Sequence, residues 1–185
     1  MSAQPQAVVL FADGFEEVEA VTPVDFLRRA GIETHMVGVP DRDVVGSRGI
    51  RMTTDYTLDE LEGDVQAVIL PGGLPGASNL AADENVRALL KNQFASGRMV
   101  AAICASPAVV LGSQGFLKGR RFTCAPGKEK DVADGEFSED RVVIDGNLIT
   151  SRGAGTAAEF AIAVIRELAG DAAAQKVHRS TLQKD

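Results

Sequence analysis

Two cysteines, Cys104 and Cys124, and two histidines, His35 and His178, are all that 185 residues hold of these types. Two cysteines have neither the number nor the spacing of a disulfide framework, and no C-x-x-C pair offers a zinc site, so the expected setting is a reducing compartment. Basic residues never cluster beyond an adjacent pair, and the net charge is −7. Sequence-independent binding of nucleic acid, or of an anionic membrane surface, needs Lys/Arg patches that displace counterions, and neither partner is expected. Low-complexity tracts, internal repeats, interdomain linkers and apolar stretches of spanning length are all missing. Residues Met1 to Gln6 lack a positively charged start, and the expectation is a cytoplasmic chain without a signal segment.

The residues that are present describe one domain over 1–185, with 1–6 and 179–185 as flexible ends. Hydrophobic content of 45% supports a packed core at this length. Short apolar runs alternate with helical patterns. Strands are predicted at Ala7–Leu10, Glu33–Val39, Val65–Leu70, Met99–Ile103 and Arg120–Cys124, with helices over Glu16–Ala30, Asp83–Ser96, Pro107–Gly112 and Thr156–Leu168, and a further turn or two at Ala172–Val177. Asp41–Thr54 reads as small strands at a sheet edge. Gly146-Asn147 reads as a two-residue hairpin between Val142–Asp145 and Leu148–Thr150. Such alternation implies an α/β fold, a mostly parallel sheet with helices on both faces, and ligands beyond the carboxyl ends of its strands. Gly153-Ala154-Gly155 mimics a dinucleotide fingerprint, but no strand with an acidic residue follows it, and no cofactor and no metal are expected.

Cys104 ends the Met99–Ile103 run just where helix-start chemistry begins, with Ser106 as the expected N-cap and Pro107 at the first helical position. A thiol at a helix N-terminus is expected to titrate below its reference value of about 8.5. Small neighbours, Ala102, Ala105 and Ser106, permit the sharp strand-to-helix corner of a nucleophile elbow, although the G-x-S-x-G spacing of hydrolases is absent. Glu19 shares a helix face with Phe15, Thr22 and Phe26, whereas Glu16 and Glu17 point elsewhere. A carboxylate on an apolar face must pair or hold a proton. Pro71-Gly72-Gly73 follows a buried strand, where backbone amides can approach an anion closely. His35 and His178 follow no rim strand, which disfavours a Cys-His hydrolase.

The motifs Phe15-Glu16-Glu17-Val18-Glu19-Ala20, Pro23-Val24-Asp25, Arg28-Arg29-Ala30-Gly31, Leu70-Pro71-Gly72-Gly73, Ala101-Ala102-Ile103-Cys104-Ala105 and Ser151-Arg152-Gly153-Ala154-Gly155-Thr156 together resemble the ThiJ/PfpI superfamily, closest to its Parkinsonism-associated deglycase branch. The resemblance runs from about Ala7 to the chain end. It implies a flavodoxin-like three-layer sandwich that forms a homodimer, with Cys104 as an oxidisable nucleophile hydrogen-bonded to a protonated Glu19. Gly72, Gly73 and Ala105 would then serve the substrate oxygen, and Arg29, Arg48, Ala125 and Ala154 would lie at the pocket or dimer seam. The implied activity is glutathione-independent conversion of methylglyoxal or glyoxal to hydroxy acids, or deglycation of early adducts, in protection against oxidative stress. Its alternative is a redox sensor or chaperone-like protein that uses oxidation of Cys104 without turnover.

Three positions depart from the family pattern. The pocket histidine of the best-known member is replaced by Ala125, or by Cys124 in a register shifted by one, and Cys124 becomes an alternative resolving thiol for an oxidised Cys104. Ala105, rather than histidine, follows Cys104, which disfavours a peptidase or amidotransferase. Ala154 stands where close relatives often carry proline.

Overall fold

Fully buried parallel strands need apolar residues on both faces, and the chain supplies them in its first strand. In the computed structural model, which describes residues 7–184, β1 (Ala7–Ala12) is buried at all six positions. It leads into α1 (Glu17–Arg29) and β2 (Thr34–Val39). A small antiparallel hairpin follows, β3 (Asp43–Val45) with β4 (Arg51–Thr53), and then β5 (Tyr56–Thr57). Next come β6 (Ala67–Leu70), α2 (Gly76–Ala82), α3 (Glu84–Ala95) and β7 (Met99–Ile103). The last third contains β8 (Arg121–Phe122), β9 (Glu136–Phe137), β10 (Val142–Asp145), β11 (Leu148–Ser151) and α4 (Ala157–Ser180).

The main sheet has the order β10-β11-β7-β6-β1-β2-β5, and only the β10–β11 edge pair is antiparallel. From β1 the chain passes to β2 on one side and returns to β6 on the other. The strand order therefore reverses between β1 and β6, the place where sheets of this kind open a crevice beyond their carboxyl ends. On one face Val9, Phe11, Ala101 and Ile103 pack with Leu27 of α1 and Phe160 of α4. On the other, Val8, Leu10 and Val100 pack with Leu80 of α2 and Leu90 of α3. Each buried Val, Leu, Ile or Phe among them contributes about 2 kcal/mol. Gly31, at φ +81, ends α1 by turning the chain so that the Ile32 N–H donates to the Leu27 carbonyl at 3.0 Å.

Several expectations need correction. The Arg120–Cys124 strand is reduced to Arg121–Phe122, which pairs with β9 in a separate two-stranded sheet. Asp83 caps α3, its Oδ1 accepting from the Val86 N–H at 2.9 Å, but α2 precedes it over Gly76–Ala82, a stretch rich in turn residues. The segment Pro107–Gly112 is a π-helical turn, not an α-helix, with the Ser113 N–H reaching back five residues to the Ala108 carbonyl at 3.1 Å. Ser106 does not cap it. Residues 157–180 form two helical pieces broken at Gly170, φ +83, consistent with the two patterns predicted there. The expected flexible C-terminal end is tied into this helix as far as Gln183, whose N–H donates to the His178 carbonyl at 3.1 Å. The expectation for residues 1–6 lies outside the described residues. Among the described residues, no helix is long and apolar enough to cross a membrane.

Candidate active site

Cys104 occupies the corner just beyond β7 with φ +63, a left-handed conformation that costs a non-glycine residue of order 1–3 kcal/mol. Bonds on both sides hold it there: its N–H donates to the Ser151 carbonyl at 2.9 Å, and its carbonyl accepts from the Ala125 N–H at 2.8 Å. Ser106, helical in its backbone, turns its hydroxyl to the Pro71 carbonyl at 2.5 Å. That bond fastens the loop after β6 to the corner after β7.

Glu19, 1% exposed on α1, completes the arrangement. Its Oε2 accepts from the Gly72 N–H at 3.0 Å. The Cys104 thiol and the Ala154 backbone lie beside it and favour its charged form. No side chain fits at position 72, since a Cβ would lie 2.6 Å from both Cys104 Cβ and Glu19 Oε2. Gly73, at φ +90, and Ala105 direct their amides at the Cys104 sulfur. Three strand-end loops, after β1, β6 and β7, thus meet around one thiol.

Burial pushes Glu19 up to about 7, against the hydrogen bonds from Cys104 and Gly72 that favour its charged form. Cys104 is pushed up to about 12, first by burial and then by the Glu19 charge beside it. The depressed thiol expected from the helix terminus is therefore not found. A helix end is worth about 0.3–1 kcal/mol, less than one pKa unit, whereas burial can move a group by about 3–5 units. Between these two values the pair holds a single proton and a single negative charge, and the titration belongs to the pair.

A pocket of 540 Å³ opens onto the pair and is lined by Glu16, Glu19, Ser47, Arg48, Gly73, Leu74, Cys104, Ala105, Ala125, Pro126, Lys128 and Ala154. Of the residues singled out in the sequence, Arg48, Ala125 and Ala154 lie in its wall. Arg29 does not; it sits on the exposed side of α1, bonded to Asp25 at 2.8 Å. Cys124 is fully buried in the core on the α2–α3 side, whereas Cys104 packs against the α1–α4 core, and both thiols are free. Burial pushes Cys124 up to about 11. His35, on β2, bonds Glu33 at 3.2 Å and His178 lies on α4, and neither lines the pocket. Sequence reasoning missed Glu16, Ser47, Leu74, Pro126 and Lys128. Pro126-Gly127 follows a strand, and the test that singled out Gly72 and Gly73 would have found Lys128. Nothing local marks Ser47. Glu17, expected to point away from the face that holds Glu19, is buried at 6% exposure beneath the β3–β4 loop.

No group of three or more His, Cys, Asp or Glu is placed to hold a metal ion among the described residues.

The model of the DJ-1/PfpI family matches residues 5–167. The chain is 40% identical over 189 residues to the Parkinson disease protein 7 homolog of Danio rerio, covering 99% of this chain and all of that protein. It is 35% identical to the glutathione-independent glyoxalase DJR-1.2 of Caenorhabditis elegans, over 92% of each chain. Against Protein DJ-1 homolog B of Arabidopsis thaliana it is 41% identical, and the match spans 96% of this chain but only 41% of that longer protein. The crystal structure of a cysteine-to-alanine mutant of a DJ-1 superfamily protein from Salmonella typhimurium superimposes with a TM-score of 0.94 at 37% identity, covering 97% of this chain and 98% of the other.

Proposed function

Because the chain belongs to the DJ-1/PfpI family, we propose that it converts small reactive dicarbonyls to hydroxy acids, or removes their early adducts, with Cys104 as nucleophile and Glu19 as proton carrier. The observation that carries this reading is the buried carboxyl of Glu19 beside the Cys104 thiol, both lining one open pocket. With one proton on the pair, the charge can sit on sulfur while Glu19 keeps the proton. The amides of Gly73 and Ala105 support that state.

For methylglyoxal, the sulfur attacks the aldehyde carbon and the carbonyl oxygen takes the Glu19 proton, giving a hemithioacetal. The Glu19 carboxylate then removes the hydrogen of that carbon to give an enediolate and returns the proton to the neighbouring carbon, while the hydroxyl proton passes by way of Glu19 to the neighbouring oxygen. The result is a thioester of the hydroxy acid, and water cleaves it to release lactate and the thiol. Neither glutathione nor a metal enters this balance. In the absence of a pocket histidine, Glu19 carries every proton step.

Lactate formation from methylglyoxal without glutathione should fall to the uncatalysed rate in Cys104→Ser, and by roughly 100-fold or more in Glu19→Ala. Turnover that survives Cys104→Ser would rule the reading out. The functional unit is proposed to be a homodimer. Val18, Val21 and Ile50 leave an apolar strip on α1 and the adjoining loop, 49%, 40% and 55% exposed, which a second copy of the chain would cover.

A further inference from the structure

The loop between β3 and β4 lies over the first turn of α1, and its anchor is a residue that takes no part in the chemistry above. The Arg48 N–H donates to Glu17 Oε1 at 2.7 Å, and the Ile50 N–H reaches the same oxygen at 3.3 Å. Ser47 Oγ donates to Glu16 Oε2 at 3.0 Å, with Glu17 Oε2 3.4 Å away. The Ser47 N–H donates to the Phe15 carbonyl at 2.7 Å. Gly46 leaves room for that carboxylate, since a Cβ there would fall 2.3 Å from Glu17 Oε1 and push it aside. Burial works against a charge on Glu17, but the backbone amides of Glu17, Arg48 and Ile50 outweigh it and hold the carboxyl below its usual range. Glu17 is thus an ionised, buried acceptor whose donors all come from one loop or from its own helix turn.

That loop brings Ser47 and Arg48 to the wall of the Cys104 pocket. Glu17 does not line the pocket itself. We propose that Glu17 is a positioning residue: its carboxylate fixes the backbone of Arg48 and Ile50, and so sets the cationic side of the pocket wall and the ease with which an anionic reactant reaches Cys104. Glu17 and Glu19, two residues apart on α1, then divide the work. One builds the wall and the other handles protons.

The test reads Cys104 directly and does not depend on dicarbonyl turnover. Rates of alkylation by iodoacetate and by the neutral iodoacetamide are measured at low salt, from the mass of the peptide that holds Cys104. Removing the Glu17 charge by itself would raise the iodoacetate-to-iodoacetamide ratio, whereas release of Arg48 would lower it. In Glu17→Ala the ratio should fall by about threefold or more, towards that of Arg48→Ala. Glu17→Gln keeps an oxygen for the Arg48 amide and should stay at or above the wild-type ratio. If Glu17→Ala does not fold, Gly46→Ala, which displaces the carboxylate, should give the same fall. A ratio that rises or stays level in the folded variant overturns the proposal. Loss of lactate formation in the wild type would instead defeat the reading of the reaction and leave this one standing.

Discussion

Glu19 shows how far burial outweighs local sequence chemistry at the scale of one side chain. The folded chain keeps its proton up to about 7, whereas an unperturbed carboxyl gives it up at 4.5. Between those values the folded state binds more protons than the unfolded one. Stability from this residue is therefore complete below the lower value and falls as pH rises through the window, by about 3 kcal/mol in all. Glu19→Gln cannot titrate and should lose this dependence. Urea denaturation at pH 5 and pH 7.5 checks it: the variant should gain about 2–3 kcal/mol on the wild type between the two conditions. A constant difference between them would show that Glu19 is not held protonated. The carboxylate on an apolar helix face was legible in the sequence. The direction of the Cys104 shift was not, because desolvation is a property of what packs around the thiol.

Among the elements, the corner after β7 depends on its tie to the loop after β6. Pro107 at the first helical position announced a helix after Cys104, and Ser106 had the right chemistry for its cap. The hydroxyl instead bonds the Pro71 carbonyl, 35 positions earlier in the chain, and the helix widens into a short π-helical segment. Ser106→Ala leaves a buried carbonyl without that donor and should destabilise the fold by about 1–3 kcal/mol. A shift in the urea midpoint with an unchanged slope measures this effect; no shift would mean that the bond contributes nothing. The β3–β4 hairpin teaches the same point. Its strands could be read as an edge excursion, but their meeting with Glu17 joins positions about 30 apart and no local pattern encodes it.

For the molecule as a whole, the β1–β6 reversal brings the three loops together, and α1 supplies both the buried Glu19 carboxyl and the exposed apolar Val18 and Val21. If a second copy covers that strip, sedimentation equilibrium should give twice the chain mass of 19.5 kDa for the wild type. Val21→Glu, which places a charge there, should shift the molecule towards one chain mass without loss of the far-ultraviolet helix signal. A monomeric wild type at tens of micromolar would remove the dimer from the proposed function. By itself the sequence determined the main alternation of strands with helices, the mostly parallel sheet and the three strand-end turns. Apolar periodicity and glycine placement are local and survive in one dimension. Only the tertiary structure decided which turns face one another, that Cys124 belongs to the opposite core, that Arg29 stays outside the pocket, and that Ser47, Arg48 and Lys128 share a wall with Cys104. Those facts depend on burial and on hydrogen bonds between distant segments, and they exist only once the strand order around β1 has closed.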